Sequence, residues 1–229
     1  MSYHFLGLVN DINRRLNEVE LTTTNFASCT GFYSFAKDAV NSSLRDINTQ
    51  TFEWPFNHDT QREQLHPGDV RYFIPREVKT LDIDSFRIVR DDDLGNATVK
   101  LRILSYEDYL SKFVDYQYRE DESVRGLPQS VFRSPSLEFG VVPPPDKEYT
   151  IEYEYYRNPV PLNLHSDVPT VPSEFRNVVV DGAMSYVYSF RGDTESSQLS
   201  TQKFQMGLKS MRTLYINRYE YLRDTRISF

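Results

Sequence analysis

Apolar residues in the first fifty positions recur every three or four places. Phe5, Leu8, Val9, Ile12, Leu16 and Val19 form one stripe, with Asp11, Arg14, Arg15, Asn17 and Glu18 on the opposite side. That spacing predicts an amphipathic helix with one buried face. The Thr-rich stretch 22–25 and Gly31 break the pattern. A second helix is predicted over residues 32–47, with Phe32, Phe35, Ala36, Ala39, Val40, Leu44 and Ile47 on one side.

From residue 50 to about 169 the period changes from 3.6 to 2. Residues 70–74, 85–89, 98–104, 137–141 and 149–155 alternate apolar with polar side chains, which predicts half-buried strands. The acidic, Gly/Asn-containing segment 91–96 reads as a hairpin loop between two of them. A short helix is predicted over 106–118, capped by Ser105 and carrying Tyr109, Leu110, Phe113 and Val114 at helical spacing. Three prolines, Pro143, Pro144 and Pro145, make a stiff turn ahead of the last strand.

The final quarter returns to helical spacing. Phe175, Val178, Val179, Gly182, Ala183, Tyr186, Val187 and Phe190 make one stripe behind the opening Pro172, and Gly192 supplies a C-terminal stop. Gly182 and Ala183 imply a close helix approach. A further helix is predicted over 194–219, with Leu199, Phe204, Leu208, Met211, Leu214 and Tyr215 in register, and an extended tail follows. Two helices before the β region and two after it predict an α+β fold. In this reading residues 1–49 and 170–217 form a helical bundle, 50–169 an inserted β-rich domain, antiparallel and sandwich- or barrel-like, and 218–229 a C-terminal tail.

Composition adds three constraints. Hydrophobic residues are 39% and charged residues 26% of the 229, as in ordinary globular proteins, and no run approaches the roughly 18 apolar residues of a membrane span. Sixteen Tyr and fifteen Phe against one Trp exceed what a core of this size needs, which predicts tyrosine surface for a partner. The formal charge of −7 excludes a protein that grips nucleic acid or an anionic membrane through a basic surface. A single cysteine, Cys29, cannot form an intrachain disulfide. The first residues carry no basic-then-apolar leader pattern, so the product is expected in the cytoplasm when made.

Little in the chain suggests chemistry. His4, His58, His66 and His165 are scattered, without the spacing that places two ligands on one helix face. No phosphate-binding glycine loop and no serine-hydrolase elbow is present. Asp91, Asp92 and Asp93 lack the alternating spacing of a calcium loop and read as a solvated hairpin tip, as do Asp82 and Asp84 at a strand start. Cys29 reads as a small half-buried thiol. No catalytic residue, metal ligand or cofactor site is nominated. Charge is uneven instead. Residues 172–229 carry +2 and residues 1–171 carry −9. The end of the chain interleaves Arg218, Arg223 and Arg226 with Tyr219, Tyr221 and Phe229, the residue types that dominate interface anchors.

The order of features resembles the head-to-tail adaptor, or tail tubular A-like, proteins of tailed bacteriophages. The resemblance rests on residues 39–48 (Ala-Val-Asn-Ser-Ser-Leu-Arg-Asp-Ile-Asn), 52–56 (Phe-Glu-Trp-Pro-Phe), 104–109 (Leu-Ser-Tyr-Glu-Asp-Tyr), 143–149 (Pro-Pro-Pro-Asp-Lys-Glu-Tyr) and, above all, 167–175 (Asp-Val-Pro-Thr-Val-Pro-Ser-Glu-Phe) with the helix behind it. It implies a non-enzymatic virion protein at the neck, in a homo-oligomeric ring of about twelve subunits between the portal protein and a tail tube or nozzle protein. A tail fibre is a further partner the resemblance allows, and a short-tailed phage is favoured. Genomic DNA would pass through such a ring without specific binding, and no membrane is involved. Arg218, Tyr219, Tyr221, Arg223, Arg226 and Phe229 match by position and composition the segment that docks on the portal in such proteins. Two other readings of the residues stand beside this one. The Tyr-rich strands of 50–169 would suit a carbohydrate- or receptor-binding module with exposed rings in a shallow groove. A pair among Glu138, Glu152, Glu154, Asp91 and Asp93 would suit a carboxylate-dependent glycoside hydrolase.

Overall fold

The computed structural model of the chain describes residues 3–50, 53–92, 95–119 and 122–215, and side chains at all of these except 90–92 and 95–97. Among the described residues five α-helices and eight strands make an α+β fold, divided into two compact units, Met1–Asn57 with Pro159–Phe229 and His58–Asn158. The division falls at these positions because Trp54 and Leu162 are buried with the helices rather than with the strands.

The first unit contains α1 (Phe5–Arg15), α2 (Phe32–Asn48), α4 (Arg176–Phe190) and α5 (Thr194–Tyr215) around one apolar core. α1 begins where the His4 Nδ1 accepts the Gly7 N–H at 3.0 Å and ends sooner than its sequence pattern predicts. Asn17 takes a left-handed conformation (φ 54°), one of the few non-glycine residues that tolerates it, so the chain turns away and Val19 is exposed rather than buried. Asn10 fixes the returning chain, accepting the Leu21 N–H at 2.8 Å and donating to the Leu21 carbonyl at 2.9 Å.

α4 packs against α1, α2 and α5. Its glycine is required by proximity: a Cβ at Gly182 would lie 2.3 Å from the Ser43 Oγ of α2 and 2.8 Å from the Phe204 ring of α5. Ser43 uses the same closeness to donate to the Val179 carbonyl at 2.8 Å. α4 stops at Gly192 (φ 77°), and the Asp193 carboxylate then caps α5 through the Ser196 N–H at 3.0 Å. Phe204, Leu208 and Met211 are buried as their spacing predicts, whereas Phe190, Leu199 and Leu214 are exposed.

The second unit is two four-stranded sheets facing one core. One has the order β1-β8-β3-β4 and is antiparallel, with β1 His58–Leu65, β3 Val78–Asp92, β4 Gly95–Lys100 and β8 Tyr149–Arg157. The other has the order β2-β7-β6-β5, with β2 Arg71–Phe73, β5 Arg102–Ile103, β6 Ser130–Ser134 and β7 Glu138–Val142. An all-antiparallel domain is thus corrected in one place, since β5 runs parallel to β6. The single strand predicted over 98–104 is divided for the same reason. At Leu101, whose N–H reaches the Phe86 carbonyl at 2.9 Å, the chain leaves one sheet and enters the other, as strands do at sandwich corners. α3 is shorter than predicted, running from Tyr106 to Lys112, with a 3-10 turn at Val114–Gln117.

Part of the aromatic surplus is consumed inside this unit, where Tyr72, Phe86, Tyr109, Phe132, Phe139, Tyr153 and Tyr155 are buried. Phe86 and Tyr153 stack with centroids 4.7 Å apart, Phe139 packs on both, and Tyr72 stacks on Phe139 at 5.4 Å. On the other side of the second sheet, Tyr109 of α3 lies on Phe132 at 3.8 Å. The Phe132 ring covers Gly140 opposite it, where a Cβ would sit 2.1 Å from the ring.

Candidate interaction surfaces

The polar residues singled out in the sequence are spoken for structurally. His4 is a helix cap, and the Cys29 Sγ, half-buried, donates to the Phe26 carbonyl. Glu152 lies on the face of β8 opposite the core and is covered by two arginines, Arg62 of β1 and Arg87 of β3, both ion-paired to it. Those hydrogen bonds, Arg62 first, hold its carboxyl below the usual range against the opposing effect of burial. Arg87 also reaches Glu154 at 3.2 Å, and His58 meets Glu154 at 3.1 Å. Glu138 is engaged by Arg71 at 3.4 Å. The carboxylates nominated for glycoside hydrolysis that the structure describes are therefore parts of arginine clamps across strands. Asp93 lies outside the described residues, and the side chains of Asp91 and Asp92 are not described. Among the described residues no group of three His, Cys, Asp or Glu side chains is placed to hold a metal ion, and no helix is long and apolar enough to cross a membrane.

The tyrosines of the sugar-binding reading are placed differently from that expectation. Tyr153 and Tyr155 face the core, and burial raises the Tyr153 hydroxyl far above its ordinary value. Its hydroxyl donates to the Glu63 Oε2 at 3.4 Å, and Glu63, itself raised chiefly by burial, points inward from the edge strand β1 opposite Ile151.

Two features on the surface stand out. The first is the end of α5. Tyr215, its last residue, donates its hydroxyl to Glu174 at 2.9 Å and sets its ring against Phe56 and Phe175. This anchors the point from which the sequence continues into Arg218, Tyr219, Tyr221, Arg223, Arg226 and Phe229, all of which lie outside the described residues. The second is on the β unit. Arg71 of β2 donates to the Gln117 Oε1 at 3.1 Å and lies over the Tyr106 and Tyr109 rings, tying the 3-10 turn after α3 to the sheet. Elsewhere on this unit Phe73 of β2, Tyr118 after the 3-10 turn and Leu137 before β7 are 78%, 77% and 66% exposed. Sequence reasoning did not single these out, because each is an ordinary apolar residue of a strand or helix pattern.

No curated protein sequence matches the chain significantly. The family model of the SU10 adaptor protein matches residues 3–226. That span takes in both units, the α5 anchor and most of the basic end, and it agrees with the motifs on which the resemblance to phage head-to-tail adaptors rests. The chain belongs to the SU10 adaptor protein family, whose members are structural adaptors of bacteriophages.

Proposed function

We propose that the chain is a ring-forming subunit, in about twelve copies, seated between the portal and the tail of the virion, with the genome passing through its lumen. The observation that carries this reading is the family match along 3–226. Charge supports the division of labour. A body of −9 over residues 1–171 repels phosphates, so that a duplex slides past rather than sticking. The +4 excess from Lys203 to the end suits docking on an acidic protein groove. In this reading residues 218–229 attach to the portal, with Arg218, Arg223 and Arg226 supplying charge and Tyr219, Tyr221 and Phe229 supplying apolar anchors. The tail partner sits on the far side of the ring.

The test is removal of residues 218–229. The shortened chain is expected to lose attachment to the portal protein of its phage while its circular dichroism melt stays where the full chain's is. Full-strength attachment by the shortened chain would overturn the assignment of the tail. Replacing Arg218, Arg223 and Arg226 with Glu is expected to weaken attachment in the same direction, and more steeply at low salt.

A further inference from the structure

One face of α4 in the helical unit is left open. α2 packs on the side of α4 that carries Val179 and Gly182. Asn177, Asp181, Met184 and Tyr188 fall at i, i+4, i+7 and i+11, on the opposite side of the helix. They form the floor of a groove of about 480 Å³. Its walls are Arg15 at the end of α1 and Ser200 and Lys203 of α5. The floor runs about 16 Å along the helix, the length of about five residues of extended chain.

The polar groups that meet in this groove are left over after folding. Ser200 is 8% exposed, yet its hydroxyl makes no hydrogen bond among the described residues. Its neighbours in α5 behave differently, the Ser197 hydroxyl donating to the Ser185 carbonyl at 2.8 Å and the Thr201 hydroxyl to the Ser197 carbonyl at 2.9 Å. A hydroxyl withdrawn from bulk water without a protein partner is costly unless something else meets it. The Asn177 amide, the half-buried Tyr188 hydroxyl and the exposed Lys203 ammonium also have no partner among the described residues. Arg15 is ion-paired with Asp181 and has further N–H groups to donate. Every one of these groups can donate, and the Asp181 carboxylate is already engaged. The groove therefore suits a ligand built of acceptors, lying over the apolar base that buried Met184 provides.

Charge narrows the ligand further. From Ser196 to Tyr215 α5 carries Lys203, Lys209 and Arg212 and no acid. In the groove itself Arg15 and Asp181 cancel, which leaves the Lys203 charge uncompensated. A duplex would need a row of cations along its backbone and is too broad for a gap between neighbouring helices. A single carboxylate needs one ammonium and a neutral donor or two. We infer that the groove over α4 binds a carboxylate side chain on a short, extended, acidic segment of a partner protein. The carboxylate accepts from the Lys203 ammonium and the Ser200 hydroxyl, while Asn177, Tyr188 and Arg15 donate to carbonyls of the segment. This role is independent of the ring and of the chain end: there the chain supplies the docking segment, and here it receives one.

The probe is a blocked peptide alternating glutamate with serine, titrated into the full chain and followed by backbone amide chemical shifts. Saturable shifts are expected at residues 177–188 and 200–203, and the same peptide with glutamine in place of glutamate is expected to give none. Lys203→Gln is expected to weaken binding about tenfold or more, as for loss of a charged hydrogen-bond partner. Ser200→Ala is expected to weaken it about three- to tenfold while the melt is unchanged or raised, because that hydroxyl has no protein partner to lose. A purely structural serine would lower the melt instead. Lys209→Gln, on another side of α5, is expected to leave the affinity as it was. Equal shifts from the glutamine peptide, an affinity indifferent to Lys203→Gln and Ser200→Ala, or the absence of any peptide-dependent shift in the groove would each overturn the site. Saturation of the same amides by a short DNA duplex and not by the acidic peptide would overturn it in favour of phosphate.

Discussion

The two units solve the problem of stability by different means. The helical unit relies on small residues at crossings. Gly182 admits Ser43 and Phe204 at distances no Cβ allows, and Gly207 of α5 receives Val178 of α4, where a Cβ would lie 2.6 Å from a methyl. The β unit relies on large rings and on charge. Phe86, Phe139 and Tyr153 fill its centre, and Arg62, Arg87 and Glu152 bind three adjacent strands on the outside. A crossing of small residues transmits any added volume directly into neighbouring backbones. A stack of rings instead concentrates burial in a few side chains whose removal leaves large voids. The helical unit should therefore be most sensitive to enlargement and the β unit most sensitive to truncation.

The contrast is accessible to measurement because the single tryptophan, Trp54, belongs to the helical unit, where it is fully buried and donates to the Ile47 carbonyl at 2.7 Å. Tryptophan emission thus follows one unit, and near-ultraviolet tyrosine dichroism weighs toward the other. The largest effect is expected from Phe139→Ala, which should cost about 3–5 kcal/mol and shift the tyrosine transition in a urea titration while tryptophan emission moves much less. Equal shifts in both signals would show the units unfolding as one, and the comparison would fail. Next, Gly182→Val should cost about 2–3 kcal/mol through overpacking and displace the tryptophan transition, and an unmoved midpoint would sink the close-crossing argument.

Glu152→Gln is expected to cost about 1.5–3 kcal/mol, the range for hydrogen bonds to charged groups, and to flatten the acid limb of the tyrosine melt. The sign follows from the depressed carboxyl. The unfolded chain binds that proton at a higher pH than the folded one, so the contribution is complete above the ordinary carboxyl value of 4.5 and is lost as pH falls through the folded value. Glu63, raised by burial, works the other way, its contribution being present at low pH and lost as pH rises through its folded value. Glu63→Gln should therefore leave the acid limb in place. The smallest effect is expected from Tyr215→Phe, about 0.5–1 kcal/mol, read as earlier loss of helical dichroism with the tyrosine signal unmoved.

Where one face of an element is wet and the other dry, its pattern was legible. α2, the interior stripe of α4 and the strand at 149–155 all obey it, as does the stop at Gly192. The elements that escaped break this rule for identifiable reasons. β1 reads His-Asp-Thr-Gln-Arg-Glu-Gln-Leu, polar on both faces, because it is an edge strand whose inward positions, Asp59, Gln61 and Glu63, lie opposite Tyr155, Tyr153 and Ile151. Inward-facing charge protects such an edge from unwanted pairing and erases the alternation by which strands are read. β6 fails in the opposite sense. Val131 faces the core and Phe132 lies under α3, so both faces are dry and the short run has no period. The tyrosine count was read as offering some surface to a partner; four of the sixteen, Tyr72, Tyr109, Tyr153 and Tyr155, are instead buried in the β unit. The family was legible from scattered structural residues. The left-handed backbone at Leu137 was not, because it is set by the three-residue loop between β6 and β7 and leaves no mark in composition.

The β unit begins at His58 and ends near Asn158, with His58 directly opposite Tyr156 across the β1–β8 ladder. Its two chain ends are therefore neighbours, and the whole unit interrupts the helical one at what is, in space, a single point. On the ribosome this sets an order of events. The entire β unit emerges before α4, so it can complete its fold while α1 and α2 still wait for the helix that fills their core. Closing the helical unit then costs little more than joining two short loose ends, because the hundred residues between them already behave as one rigid knot rather than as a long flexible loop. Replacing that unit with one from a relative should preserve maturation as long as the substitute also brings its ends together.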